Sequence, residues 1–206
     1  MKFYTIKTPT IIQKFYSNYC WCFSSSVKEI YLTFDDGPTP EITTYVLNEL
    51  KKHQAKATFF CIGKNVKNHP SIYERIKKEG HSVGNHTYNH LNGFRTNKIN
   101  YIENIQQAEK LIESNLFRPP YGRLKSSQAR SIIGKGYKII MWDILSGDFD
   151  TTITPEKCLK NVLEKTTNGS IVVMHDSEKA KDKIFYTLPK ILSYYKEKGY
   201  LFKAIS

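Results

Sequence analysis

The chain has 206 residues, 40% apolar, 13% aromatic and 24% charged, and 31 Lys and Arg against 19 Asp and Glu give +12 with histidine neutral. At roughly 150 residues per domain this is one globular domain, able to bury about 70% of its unfolded surface around a single core. The composition excludes a disordered, collagen-like or low-complexity chain.

The longest unbroken apolar run, Tyr19 to Phe23, is five residues, whereas a membrane span needs about 20, so no membrane span is expected. Met1 to Lys7 carries a lysine with no apolar stretch of signal-peptide length behind it. A cytoplasmic location is therefore the default expectation, and a monomer the expected state. Of the basic residues 26 are Lys and 5 Arg, spread along the chain. They read either as a solvated surface or as attraction to an anionic polymer, with no aromatic-interleaved block that would favour nucleic acid as a partner. Cys20, Cys22, Cys61 and Cys158 form no CxxC pair and are expected to be free or buried thiols.

In chain order, strands are expected at Ile30–Phe34, Ala57–Ile62, His81–Asn85, Phe117–Arg118, Lys138–Trp142, Ser170–His175 and Tyr200–Ile205. The clearest helices lie between them at Pro40–His53, Asn97–Asn115, Pro155–Thr166 and Leu188–Lys198. Thr39-Pro40-Glu41 and Thr154-Pro155-Glu156 each offer a capping hydroxyl, a proline for the first turn and an acid facing the helix dipole. Gly80 and Gly199 mark helix ends. Strand–helix alternation through the whole chain predicts an α/β fold with a parallel sheet. Polar residues follow the ends of five different strands, which favours a barrel rim over the single switch point of an open sheet. With seven strands, the expected fold is a distorted, incomplete (β/α)7 barrel in one domain.

Three groups of residues could carry chemistry. His86 and His90 stand four apart, so that on a helical turn both imidazoles would face one divalent ion, although an isolated HxxxH is as often an ordinary surface or core pair. Thr87 occupies the place where an HExxH protease carries its glutamate, so a base must come from elsewhere. Asp35-Asp36-Gly37-Pro38 ends an apolar strand on adjacent carboxylates, which is either a solvated turn or a cation-compensated site. Arg118, before two prolines, is a candidate carboxylate clamp able to hold an Asp bidentately, or else a surface arginine. Asp148 and the strand-end His175 complete the set. His81, His53, His69, Trp142 and Cys61 are read as packing or hydrogen-bonded residues.

Taken together, Thr33-Phe34-Asp35-Asp36-Gly37-Pro38, His86-Thr87-x-x-His90, Arg118-Pro119-Pro120-Tyr121, Trp142 to Phe149 and Val173-Met174-His175 resemble, in order, the five motifs of the polysaccharide deacetylases, carbohydrate esterase family 4, which includes the nodulation-type chitooligosaccharide deacetylases. The resemblance implies a bacterial hydrolase that removes acetyl groups from N-acetylglucosamine units of a peptidoglycan or chitin-like glycan. It implies a divalent metal, usually Zn2+, held by Asp36, His86 and His90, with Asp35 as general base and Arg118 orienting it. It further implies the Tyr121 N–H as oxyanion donor, His175 as general acid and Asp148 tuning His175. Phe149 and Val173, where the family usually has Trp and Leu, fall at positions lining its substrate pocket. Residues 29–206 would be the catalytic domain and residues 1–28 a short extension packing on it. The competing readings are a non-catalytic glycan-binding member, a deacetylase of another acetylated amide, and a nucleic-acid binder using the +12 charge.

Overall fold

The computed structural model describes residues 4–24 and 26–206. Residues 1–3 and 25 of the expected N-terminal extension lie outside the described residues. Eight parallel strands are present: β1 Glu29–Asp35, β2 Thr58–Cys61, β3 Ser82–Asn85, β4 Leu116–Phe117, β5 Lys138–Ile139, β6 Ile144–Leu145, β7 Ile171–His175 and β8 Leu201–Phe202. Seven follow the path β5-β4-β3-β2-β1-β7-β6, and β8 pairs with the first residues of β1. The sheet curls into a half-barrel. Its two ends, β5 and β6, are joined only by residues 140–143, so one extended stretch pairs with β4 at its start and with β7 at its finish.

The curled path holds seven strands, as the expected incomplete (β/α)7 barrel requires, but the expected Lys138–Trp142 strand ends at Ile139 and an unexpected β6 follows it, while the expected last strand, β8, lies off the path. Residues 4–23 occupy the seam: Ile6 O accepts from Leu145 N–H, Thr8 N–H donates to Asp143 O, and Cys20 pairs with Ile139 and Met141 through backbone bonds.

The helices are α1 Thr10–Phe15, α2 Pro40–Lys52, α3 Gly63–Asn68, α4 Pro70–Lys78, α5 Lys98–Glu109, α6 Ser126–Gly134, α7 Pro155–Lys165 and α8 Lys181–Glu197. Alternation along β1 divides the molecule. Ile30, Leu32 and Phe34 are fully buried against Ile42, Val46 and Leu50 of α2 and Leu188 and Ile191 of α8, at roughly 1.5–3 kcal/mol per fully buried large apolar side chain. Tyr31 packs in a separate cluster with Phe60, Ile140 and Ile171, and Thr33 and Asp35 continue that face toward the strand's C-terminal end.

Three local expectations are corrected. The helix expected over Asn97–Asn115 stops at Glu109. The cap at Thr39 does not form; its backbone N–H instead donates to Thr43 Oγ1 at 2.7 Å, whereas Thr154 Oγ1 does accept from Lys157 N–H. The last helix begins at Lys181 rather than Leu188 and carries Pro189 inside it. A proline cannot bond the carbonyl four residues back, and here that carbonyl, on Phe185, accepts from the Tyr45 hydroxyl at 3.1 Å.

Candidate active site

Asp35 ends β1 and is 4% exposed, and Arg118, directly after β4, is fully buried beside it. Arg118 Nη1 donates to Asp35 Oδ1 at 2.7 Å and to Thr33 Oγ1 at 2.6 Å, Nε to Ile140 O at 3.1 Å, and Nη2 to Met141 O at 2.9 Å. The guanidinium also stacks on Phe60, 4.0 Å from the ring centroid. The expected bidentate grip on an aspartate is thus corrected to a single bond, because the other donors tie the arginine to the β5–β6 crossover. Burial lowers the Arg118 pKa, with Asp35 opposing it.

Asp36 follows in a left-handed conformation (φ 81°). Its Oδ1 lies 3.1 Å from His90 Nε2 and 3.6 Å from His86 Nε2, yet it is buried with no hydrogen-bond partner among the described residues. The contact to His90 is close enough to act electrostatically but is not aligned as a hydrogen bond. Burial pushes the Asp36 carboxyl up, but His90, His175 and His86 together hold it well below the usual carboxylate range. One ligand atom from each of Asp36, His86 and His90 lies within 4.8 Å of the others.

His86 is 2% exposed, and its Nδ1 donates to Arg118 O at 2.8 Å, which leaves the Nε2 lone pair facing Asp36. Burial lowers its pKa to about 4, so the ring is neutral at pH 7. An orphaned carboxylate oxygen and a neutral imidazole with a fixed tautomer are the donor chemistry a divalent cation requires, and the three residues fit one.

The histidines do not reach this arrangement on a helical turn, which is a further correction. Residues 86–90 form an irregular loop with Thr87 at φ 63° and His90 at φ 57°. Side chains hold it there. Asn85 Oδ1 accepts from Thr87 N–H, and Asn104 Oδ1 on α5 accepts from both Tyr88 and Asn89 N–H groups. The first N–H groups of α3, on Gly63 and Lys64, donate to the carbonyls of Thr87 and Tyr88. Among the described residues, four of the five non-glycine positions with positive φ, namely Asp36, Thr87, His90 and Tyr121, lie at this site, where stored backbone strain is commonly found.

His175 ends β7 in register with Asp35. The fully buried Asp148 accepts from its backbone N–H at 2.6 Å and from its Nδ1 at 2.7 Å, leaving Nε2 as the free ring nitrogen. Burial alone would lower the His175 pKa, but Asp148, with Asp36 and Asp35 beyond it, pushes it up to about 10. The Phe149 ring meets the imidazole edge to face at 5.3 Å and is backed by Tyr4 from the N-terminal segment, also at 5.3 Å. Tyr121 is 60% exposed, with its ring 4.6 Å from that of His90. Val173 is fully buried, two residues before His175 on β7 and in register with Thr33.

The structure therefore gathers Asp35, Asp36, His86, His90, Arg118, Asp148 and His175 from five strand ends. His81 Nδ1, as expected of a structural histidine, accepts from Ala57 N–H, and all four cysteines are free. Sequence reasoning missed Thr33, Asn65, Asn104 and Asp176, which hold the site together. Only Asp176 carried a signal, as an acid directly after a strand-end histidine.

The model of one protein family, polysaccharide deacetylase, matches residues 24–140. A peptidoglycan-N-acetylglucosamine deacetylase of Bacillus cereus is 33% identical over 192 residues, covering 90% of each chain. A chitooligosaccharide deacetylase of Azorhizobium caulinodans is 35% identical over 71% of this chain and 73% of its own. Among solved structures, a peptidoglycan N-acetylglucosamine deacetylase bound to a naphthalenyl N-oxidanyl-benzamide superposes with a TM-score of 0.88 at 31% identity, covering 96% of this chain and 95% of its own. A pseudoenzyme of carbohydrate esterase family 4 from Bacillus anthracis also superposes, with a TM-score of 0.77 at 26% identity, covering 90% of this chain and 66% of its own.

Proposed function

The chain belongs to the polysaccharide deacetylase family, and from that premise we propose that it is a metal-dependent hydrolase removing the acetyl group from N-acetylglucosamine units of peptidoglycan or a chitin-like glycan. The observation that carries this reading is the convergence of Asp36, His86 and His90 on one point, beside a buried Asp35–Arg118 pair and an Asp148–His175 pair.

Asp36, His86 and His90 would hold one divalent ion, zinc in this reading, which when bound supplies Lewis acidity toward water and toward the acetamide carbonyl. Asp35 Oδ2, the oxygen Arg118 leaves free, takes the proton of the attacking water, while the bond from Arg118 fixes the carboxylate in place. The Tyr121 N–H donates to the oxyanion that forms on the substrate. His175 Nε2 gives its proton to the departing amine, and Asp148 keeps that imidazole charged and oriented. Phe149, with Tyr4 behind it, and Tyr121 form walls beside the reacting group, with Val173 beneath His175. Products are acetate and a glucosamine unit.

Residues 1–28 are assigned as an extension of the 29–206 catalytic domain; the backbone bonds of Ile6, Thr8 and Cys20 to residues 139–145 support this. No helix among the described residues is long and apolar enough to cross a membrane.

The test is acetate release from short N-acetylglucosamine oligomers and from peptidoglycan, by protein stripped with a chelator and then given zinc. Zinc-dependent release supports the assignment. Binding of the oligomers without release would instead make the chain a glycan-binding member of the fold.

A further inference from the structure

Asp36 holds a left-handed backbone conformation (φ 81°), so the direction of its carboxylate depends on the two peptide planes on either side of its Cα. One residue bonds to both planes. The Asp176 backbone N–H donates to Asp35 O at 3.1 Å, and Asp176 Oδ1 accepts from Gly37 N–H at 3.0 Å. The fit is tight, since a Cβ at Gly37 would lie 2.0 Å from Asp176 Oδ2. That second oxygen accepts from Thr43 Oγ1, the hydroxyl that itself accepts from Thr39 N–H, so the brace is anchored in the first turn of α2. Asn65 Nδ2 donates to Asp36 O at 2.7 Å from the opposite side.

We infer that Asp176 is a positioning residue that holds Asp36 in its metal-ligating conformation by bracketing the backbone of Asp35 to Gly37. The inference rests on the reading that Asp36, His86 and His90 bind the metal. Asp176 is 1% exposed and touches neither substrate nor metal in that reading. A left-handed aspartate is strained and persists only where its surroundings over-determine it. Without an acceptor for Gly37 N–H, the Asp36–Gly37 plane keeps only the Asn65 bond to its carbonyl and can tilt about it, carrying the carboxylate away from the histidines. Because Asp176 directly follows His175, the same strand end sets both His175 and the Asp36 turn.

The experiment is calorimetric titration of the metal-free protein with zinc, alongside urea unfolding of the same metal-free samples. Asp176→Ala should weaken zinc binding ~10–100-fold, the usual cost of removing a group that orients a ligand. Asp176→Asn keeps an oxygen for Gly37 N–H and should bind zinc like the parent. Tyr45→Phe, which loses a bond outside the brace, should lower stability while leaving zinc affinity unchanged, a separation that a merely structural role for Asp176 would not produce. If the alanine variant does not fold, Asp176→Ser, whose hydroxyl is too short to reach Gly37, takes its place. Parental zinc affinity in Asp176→Ala or Asp176→Ser overturns the inference, as does an affinity loss in Tyr45→Phe that follows its stability loss. His86→Ala is the separate control: if it binds zinc like the parent, the metal site itself is wrong, whatever Asp176 does.

Discussion

Asp148 accepts two hydrogen bonds from His175, from the ring Nδ1 at 2.7 Å and from the backbone N–H at 2.6 Å, with its own carboxylate fully buried. An imidazole gripped this way has one tautomer, one orientation and a proton held on Nε2 well above the pH at which a free histidine loses it.

In the proposed reaction the pair should set the alkaline side of the pH–rate profile. As the proposed general acid His175 would act in its charged form, so turnover should fall as pH rises through its pKa, pushed up to about 10 in the metal-free fold. Asp148→Asn removes the main attraction raising that pKa, and the alkaline limb should move to lower pH. Stability follows the same sign. A histidine whose pKa is raised on folding contributes stability that is full below its unfolded value, about 6.5, and is lost as pH climbs through the folded one. The stability deficit of Asp148→Asn should therefore be largest in mild acid and shrink toward pH 10. Rate profiles and urea unfolding at several pH values check both statements, and an unmoved alkaline limb would remove Asp148 from the tuning role. His175→Ala should lose most turnover and keep its zinc affinity.

Asp35→Asn preserves an oxygen for Arg118 Nη1 but cannot take a proton from water. Turnover should drop by ~10²–10⁴, the usual contribution of a positioned general base, while zinc binding stays parental. Near-parental acetate release from this variant would refute the base assignment.

Arg118→Ala leaves a buried carboxylate without its counter-charge, and the cost should be about 3–5 kcal/mol in chemical denaturation. Arg118→Lys should recover little of this. A lysine cannot reach Asp35, Thr33, Ile140 and Met141 at once from one ammonium group.

Zinc should raise the melting temperature of the stripped protein in a concentration-dependent way, by the equivalent of about 2.7 kcal/mol at a hundred times the dissociation constant. His86→Ala and His90→Ala should abolish that response. A response that survives in both variants places the metal elsewhere.

Tyr45→Phe tests the proline inside α8. It deprives the Phe185 carbonyl of its partner, because Pro189 offers no N–H, and should cost about 0.5–1.5 kcal/mol with no change in turnover. A destabilisation absent from calorimetry would mean that solvent satisfies the carbonyl equally well.

The sequence by itself determined the alternation of strands and helices, the chemistry of the residues at the strand ends, and the order of the five motifs. Hydrophobic period and residue type are local properties, and Ile30, Leu32 and Phe34 alternating with Thr33 and Asp35 already separate a core face from a functional one. What only the tertiary structure decided depends on contacts between residues far apart in the chain. His86 and His90 converge through an irregular loop because Asn104 and the start of α3 satisfy its backbone, and no helical spacing encodes that. Arg118 binds Asp35 through one nitrogen because Thr33, Ile140 and Met141 claim the other donors. The Phe185 carbonyl that Pro189 leaves without a helical partner takes the hydroxyl of Tyr45, 140 residues away. In each case a polar group that cannot be left unpaired when buried chose its partner by position in space, which the one-dimensional order of residues does not contain.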